Sequence, residues 1–577
     1  MNNLEAAWSL NEIADLLEIK GENPYKIRAY KRAAASITNL QLNLEDLYKE
    51  GSLRDVPGVG KAIAEKLEEM ITTGKCSMLE KLREEIPPVF RSIPQLPGVG
   101  LHAARVIYNN TDIKDLEQLE IAARQRKIRA LPGLGPKTEV NIIRGLEIIK
   151  TQRDSSPLNL ASASAEILVG FLSSLDITHR VALSGSIRRG KDTVHDVDIV
   201  ASVDDKKFIA ENFAKHPHVK EVSQSTDNRI EGLTWLGVKF DVMLVEEQEF
   251  IPVLFWTTGS KEFFRELTVF AAGKGCRLTG NQVIVDDRVV PVKDEKEIFE
   301  LLGLSYIPPQ IREGPEVIRT AGEGRLPCLI EISDIKGDLH CHSAWSDGIH
   351  TIEELVQEAI SRGYSYLAIT DHSKSLAIAN GLSWERLQAQ WKEIEKLQYE
   401  YSPFKIFKGL EVDILKDGLL DFGEEVLSRL DIVIASVHSG FRQDLETMTS
   451  RLVSALENPY VDIIAHPTGR ILGRRPPYNL DLDRFIEVAA KTGTILEINA
   501  SPDRLDLSAE NTRRAKENGI LIAINTDAHD KVRLQDIAFG VTNARRGWLE
   551  KSDVLNTYSK EEVEEILKDR RRKALLK

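Results

Sequence analysis

Residues 336–350 read KGDLHCHSAWSDGIH, with His340 and His342 flanking Cys341 and Asp347 five residues on. How the last part of the chain folds turns on this stretch. If its apolar start is a strand, alternate residues share a face, so the two imidazoles point one way and Cys341 the other. Similar strand ends recur downstream: YLAITDH ends on His372, GLEVD carries Glu411, SVH ends on His438, AHP holds His466, and TDAH holds Asp527 and His529. Helical stretches such as TIEELVQEAISRG and LDRFIEVAAKTG lie between them. Short apolar strands alternating with helices predict a distorted parallel β/α barrel over 335–577, and a barrel brings its strand C-termini to one mouth. Imidazoles and carboxylates gathered there suit Zn2+, Mn2+ or Fe2+.

The chain has 577 residues, enough for three or four domains. No apolar run reaches the roughly 18 residues that a membrane span requires. The acidic, amphipathic start reads as neither a signal nor a transit peptide, which predicts a cytoplasmic protein with no membrane contact. Four scattered cysteines form no CxxC, so free thiols are expected. The net charge of −13 excludes a broad positive field for polyanions, although residues 1–150 hold 22 basic against 21 acidic groups. Any grip on nucleic acid is therefore local.

Such local features recur near the N-terminus. DVPGVGKAIAEKLEEM, QLPGVGLHAARVIYNN and ALPGLGPKTEVNIIRGLEII each place Pro-Gly-x-Gly before an amphipathic helix. Glycines at 58, 60, 98, 100, 133 and 135 let backbone amides face an anion at a helix N-terminus, with Lys137 beside the last pair. Lys66, within the first phrase, is an amine able to form a Schiff base with an aldehyde.

A second acidic site lies in LSGSIRRGKDTVHDVDIV, residues 183–200. Gly185 and Ser186 end a strand, and Arg188 and Arg189 follow with guanidinium forks suited to phosphate. Asp196 and Asp198 share a strand face, and KFDVML adds Asp241 on an expected neighbouring strand. Three carboxylates together call for Mg2+ or Mn2+, and two such ions serve in-line phosphoryl displacement.

Gly-Ser followed by Asp-x-Asp and a later Asp resembles the nucleotidyltransferase superfamily. The Pro-Gly-x-Gly phrases resemble helix-hairpin-helix modules, and with FWTTGSKEF at 255–263 the first 315 residues resemble a family X DNA polymerase. That resemblance implies triphosphate contacts at Gly185, Ser186 and Arg189, a sugar pocket at Trp256, Thr257 and Gly259, and a primer-assisting role for Asp241. It also implies a lyase role for Lys66, with Tyr30 as a DNA-contacting aromatic. The chain departs from the family pattern at Trp256–Thr257, at Phe264 and at His195. The histidine-rich end resembles the PHP (polymerase and histidinol phosphatase) family. This implies up to three ions: one on His340, His342, Glu411 and Asp527, one on Glu411, His438 and His466, and one on Asp347, His372 and His529.

The expected organisation is multidomain, with an all-α helix-hairpin-helix region, an α/β palm and a barrel. Its parts are a lyase-like helical domain at 1–85, fingers-like hairpins at 86–150, a palm at 151–245, a thumb-like subdomain at 246–315, a linker at 316–334 and the PHP domain at 335–577. The expected activity is gap-filling DNA synthesis joined to a 3′-5′ exonuclease or phosphodiesterase, with abasic-site cleavage as a further activity. Expected partners are gapped or nicked DNA and deoxynucleoside triphosphates, bound by a monomer. Two rivals stand beside this: a small-molecule phosphatase in the barrel, and a polymerase half that only binds DNA ends.

Overall fold

The computed structural model describes residues 3–38, 44–96, 99–151, 155–473 and 475–576. The chain divides into two compact units. The first holds residues 1–155, 166–177 and 204–244, and the second holds 156–165, 178–203 and 245–577.

Helices dominate the start of the first unit, around a core that includes Leu10, Leu17, Ile63, Leu67, Phe90 and Ile107. Three of these helices, α1 (Lys61–Thr73), α2 (Leu101–Asn110) and α3 (Pro136–Thr151), each follow a Pro-Gly-x-Gly phrase. The turns before them close with the same bond: Val59 N donates to Val56 O, Val99 N to Leu96 O and Leu134 N to Leu131 O, at 3.0–3.1 Å. The repeat seen in the sequence is thus a repeat of this hydrogen bond. Gly58 and Gly133 adopt φ of +86° and +77°, where a side chain would be strained.

The palm strands are β1 (Thr178–Leu183), β2 (Asp196–Val203), β3 (Val219–Thr226), β4 (Arg229–Thr234) and β5 (Lys239–Val245). In the second unit β1 pairs antiparallel with β2. In the first unit β3, β4 and β5 form an antiparallel meander.

The barrel consists of β6 (Gly337–Cys341), β7 (Tyr366–Ile369), β8 (Lys405–Asp413), β9 (Ile432–Ser436), β10 (Ile463–Ile464), β11 (Ile495–Asn499) and β12 (Ile522–Asn525). All seven are parallel and pair in sequence order. The first and last come together just beyond their ends, where His342 N donates to Ala528 O at 2.9 Å. The strands are buried on both faces, as their near-continuous apolar runs require. The barrel's outer layer includes helix α4 (Ile537–Arg546).

One segment differs from the sequence expectation. The stretch expected to be a linker carries a helix, Glu316–Gly322, that buries Val317, Ile318 and Ala321, and Glu316 accepts from Arg513 at 2.8 Å. Its apolar residues at i, i+1 and i+4 share one helix face, a pattern hidden by the surrounding Pro and Gly. The charged C-terminal helix, Lys560–Leu575, is docked: Val563 and Leu567 are buried, and Arg570 and Arg571 both bind the fully buried Asp462. Among the described residues, no helix is long and apolar enough to cross a membrane.

Candidate metal centre and nucleotide site

Parallel strands deliver the barrel's polar residues to one end. His340 lies on β6 and His342 just beyond it, His372 follows β7, Glu411 sits on β8, His438 follows β9, His466 follows β10, and Asp527 and His529 follow β12. His340, His342, Glu411 and His466 are essentially fully buried. His466 and Asp527 turn inward with positive φ, 32° and 54°, a backbone region that side chains rarely occupy.

Three ligand atoms lie together, with Glu411 beside two of them. His340 Nε2 and His342 Nε2 are 3.2 Å apart, and Asp527 Oδ1 is 3.6 Å and 3.1 Å from them. Glu411 Oε2 is 3.5 Å from each imidazole nitrogen. Ligands about 2.0–2.1 Å from a tetrahedral ion stand about 3.3–3.4 Å from one another, so the His340, His342 and Asp527 atoms fit a divalent ion. Glu411 Oε1 faces His466 Nε2 at 3.2 Å and His438 Nε2 at 3.4 Å. Asp347 Oδ1 faces His529 Nε2 at 3.4 Å and His372 Nε2 at 3.6 Å.

The grouping is more interlocked than three separate sets. His372 also turns Nδ1 toward Glu411 Oε2 at 2.7 Å, and His342 presents Nδ1 toward Asp347 at 4.0 Å. Neither His372 Nδ1, His342 Nδ1 nor Glu411 Oε2 makes a hydrogen bond, although all three atoms are buried. Buried lone pairs that converge without a donor are what a cation site offers.

Charge follows the same logic. Burial would push Glu411 and Asp527 up, yet the surrounding imidazoles hold both carboxyls well below the usual range. Burial would lower His438, but Glu411 and Asp413 raise it to about 10. His342, deep in the set and next to His529 and His372, is driven down to about 3.

In the palm, the backbone approaches a carboxylate closely. Gly185 has φ +58°, and a Cβ there would lie 1.7 Å from Asp198 Oδ2, so only glycine fits. Ser186 Oγ is buried without a hydrogen-bond partner, an open position for a polar ligand atom. Asp196 and Asp198 share one face of β2, both half-buried. In the first unit Asp241, on β5, is taken by Arg229, whose Nε and Nη2 donate at 2.9 and 2.7 Å. Arg188 donates to Glu295 at 2.9 and 2.6 Å, and Arg189 donates to Glu313 at 3.0 Å and to Thr258 O at 2.8 Å.

Gly259 approaches Phe263 and Phe264 so closely that a Cβ would clash at 2.5 and 2.7 Å. Trp256 stacks on Phe264 with ring centroids 4.9 Å apart, and Thr257 donates to Val253 O at 2.8 Å. Phe264 is therefore a packing residue under Trp256.

In the helical region, Gly60 and Gly100 stand at the N-termini of α1 and α2, and Gly135 precedes α3. Gly98 lies outside the described residues, and Lys137 lies in the first turn of α3. Lys66 is on α1, with Nζ donating to Ala62 O at 3.2 Å. Tyr30, expected at a DNA surface, is buried with its hydroxyl on Met78 Sδ, because its helix turns that face to the core. Tyr25 on the same helix is the exposed aromatic, with Arg28 over its ring.

Family models match four stretches: "Helix-hairpin-helix domain" at 1–76, "SAM-like Helix-hairpin-helix tandem" at 90–147, "DNA polymerase beta thumb" at 253–313 and "PHP domain" at 338–501. The DNA polymerase/3'-5' exonuclease PolX of Bacillus subtilis (strain 168) is 39% identical over 563 residues, covering 97% of this chain and 98% of that protein. The chain belongs to the PolX family. A probable phosphatase of Thermoanaerobacter sp. (strain X514) is 33% identical over 250 residues, 41% of this chain and 96% of its own length. A probable phosphatase of Acetivibrio thermocellus is 31% identical over 201 residues, 33% of this chain and 78% of its own length.

PHP domains are metal-dependent, and in this PolX-family chain further carboxylates orient the candidate ligands. Glu497 accepts from His340 Nδ1 at 2.8 Å and from His466 N at 2.8 Å, and Asp413 accepts from His438 Nδ1 at 2.7 Å. Such partners fix the ring and its tautomer. Neither was among the expected ligands: Glu497 lies inside an apolar strand, and Asp413 stands beside the stronger candidate Glu411. Their signal was present: a lone Glu inside the apolar TILEINA, and an Asp two residues after Glu411, on the same strand face.

Proposed function

We propose that this PolX-family chain fills gaps in DNA with the palm and thumb and removes 3′-terminal nucleotides at the barrel. The observation that carries the reading is the convergence of six imidazoles and three carboxylates at the barrel mouth, with His342 Nδ1, His372 Nδ1 and Glu411 Oε2 buried without a hydrogen-bond partner, in a chain that matches a polymerase/exonuclease along nearly its whole length. We assign Mg2+ or Mn2+ to the paired carboxylates Asp196 and Asp198, and up to three Zn2+, Mn2+ or Fe2+ ions to the barrel set. When bound, such ions supply Lewis acidity to phosphoryl oxygens and to water.

The chain's own groups do the rest. The Gly185–Arg189 turn receives the triphosphate of a deoxynucleotide on backbone amides, Ser186 Oγ and Arg189, with Arg189 leaving Glu313 to do so. Trp256, Thr257 and Gly259 line the sugar. The amides of the Pro-Gly-x-Gly turns hold DNA phosphates. At the barrel, Arg504, 3.8 Å from Asp527, sets a guanidinium beside the scissile phosphate. Lys66 is assigned a Schiff-base role at 5′-deoxyribose-phosphate ends. The chain acts as a monomer in the cytoplasm.

A second reading, a small-molecule phosphatase, is supported by the barrel's likeness to free-standing proteins named as probable phosphatases. One assay separates the readings: a labelled gapped duplex with Mn2+, with and without deoxynucleotides, beside a phosphomonoester such as p-nitrophenyl phosphate. Extension with nucleotides and shortening without them is the expected result. Phosphomonoester turnover with intact DNA would favour the phosphatase. Neither extension nor shortening would leave a DNA-end-binding module.

A further inference from the structure

Within the second unit, the turn that follows Ser186 is held by the barrel. Asp192 lies on that turn, four residues before Asp196. Its Oδ2 is 3.0 Å from Nη1 of Arg470, a barrel residue four positions after His466. Arg470 is itself anchored: Nε donates to Arg504 O at 3.0 Å and Nη2 donates to Leu505 O. Gly190, with φ +68°, lies so close to α4 that a Cβ would fall 2.0 Å from Thr542 Cγ2. The other charged groups of the turn also end on partners from outside it, since Arg189 and Lys191 share Glu313 at 3.0 and 3.2 Å.

An exposed ion pair is worth little, because two long side chains must be ordered in water. This pair differs. The side chains of Arg470 and Asp192 are only 13% and 26% exposed, and two carbonyls already fix the guanidinium. Little freedom is left to lose when Asp192 meets it. The turn is thereby clamped at both ends, by Gly185 against Asp198 and by Asp192 against Arg470.

We propose that Arg470 of the barrel is a positioning residue for nucleotide addition: through Asp192 it fixes the turn whose Ser186 and Arg189 receive the triphosphate. This rests on the triphosphate assignment made above. A turn released from Arg470 must be ordered by the incoming nucleotide instead, and that cost falls on binding. β2 is paired with β1 from Ile199 onward and Ser184 N donates to Asp198 O at 2.9 Å, so the strand that carries the carboxylates keeps its own support and the chemical step is largely spared.

The test uses the full-length chain on a gapped duplex. Asp192→Ala should raise the KM for deoxynucleotide about tenfold, equivalent to about 1.4 kcal/mol, and change kcat less than about threefold. Shortening of a 3′ end by the same preparation should stay at the wild-type rate. Arg470→Ala should raise the same KM, and the double variant should be no worse than the more severe single one, as a shared contact demands. Asp192→Asn, which keeps an acceptor oxygen, should recover part of the loss. Ser186→Ala serves as the reference. If it raises KM while Asp192→Ala leaves KM unchanged, the proposal fails and the triphosphate assignment stands. If Ser186→Ala has no effect, the assignment beneath the proposal fails. Additive effects in the double variant, or equal loss of extension and shortening in Asp192→Ala, would also overturn it, since the contact would then serve the fold at large.

Discussion

The barrel mouth and the palm turn both gather charge, but they balance it differently. At the barrel mouth, Glu411, Asp527 and Asp347 face imidazoles, and several ligand atoms have no donor at all. Among the described residues no donor completes those atoms, an arrangement that suits a cation. In the palm turn, charged groups already have protein partners: Arg188 has Glu295, Arg189 and Lys191 have Glu313, and Asp192 has Arg470. The barrel site is built and incomplete, whereas the palm turn is complete, and on the proposed reading it exchanges partners to take a triphosphate. A resident cation suits the first arrangement, and a substrate that comes and goes suits the second.

The comparison is broken most readily at the barrel. Replacing His340 and His342 with Ala removes two of the three atoms grouped with Asp527 at the first position. Shortening of 3′ ends should fall by about a thousandfold or more, in line with what metal assistance contributes. Extension should persist, and bound metal measured by elemental analysis should drop. A chelator should stop both activities. Loss of extension in the folded double variant would show that the two sites do not balance their charge separately.

The partner-exchange view of the palm depends on Glu295. It is buried between Arg188 and Arg312, and Arg312 is fully buried. Burial alone would raise its carboxyl, but the two guanidinium groups hold it at about 2, below its ordinary 4.5. A depressed folded-state pKa gives stability that is present above about 4.5 and lost as pH falls toward 2. Glu295→Ala should destabilise its unit by about 3–5 kcal/mol at pH 7, since the buried Arg312 and the half-buried Arg188 lose their counter-charge. The gap from wild type should narrow as pH falls from 4.5 to 2, as read by thermal melting. A gap independent of pH would mean that packing, not charge, is what Glu295 supplies.

Gly185 tests the other half of the comparison. With a Cβ only 1.7 Å from Asp198 Oδ2, Gly185→Ala must displace either the turn or the carboxylate. A shift of about 1 Å at a reacting group costs on the order of a hundredfold in rate. Extension should fall by about that factor while 3′-end shortening is unchanged. An active Gly185→Ala would mean that the turn and Asp198 need not be in contact during addition.

These two sites were not equally legible in the sequence. The barrel was readable because each strand ends in a polar residue after an apolar run, a local signal repeated at His372, His438 and His466. The parallel topology then does the assembling, and no long-range fact is needed. The hairpins were readable for the same reason, since each Pro-Gly-x-Gly is a complete turn. Arg470 carries no such mark. It lies in a loop between strands, and its partner Asp192 is 278 residues away. Contacts of that kind exist only after folding. Tyr30 was misread because the helix carries two tyrosines and the sequence does not say which one the core takes.

The smallest expected effect is the finest probe of the barrel's incompleteness. Glu497 is fully buried at mid-strand and touches no candidate ion position through its own oxygens in the way that Glu411 does. Oε1 accepts from His340 Nδ1 at 2.8 Å and from Asn525 Nδ2 at 3.0 Å, and Oε2 accepts from the His466 amide at 2.8 Å. It therefore fixes the tautomer of one ligand, with Nε2 left as the free lone pair, and the backbone of another. Glu497→Gln keeps the shape but has a single acceptor oxygen for three donors, and its NH2 group must face one of them. Losing such a partner costs about 10- to 100-fold in metal affinity. Competition with a chromophoric chelator should show a drop near the lower end, about tenfold, because the remaining acceptor can still serve His340. Shortening of 3′ ends should recover as metal is raised, which loss of a direct ligand would not allow. Unchanged affinity would mean that strand geometry alone orients His340, and the barrel would then be more rigid than its hydrogen bonds imply.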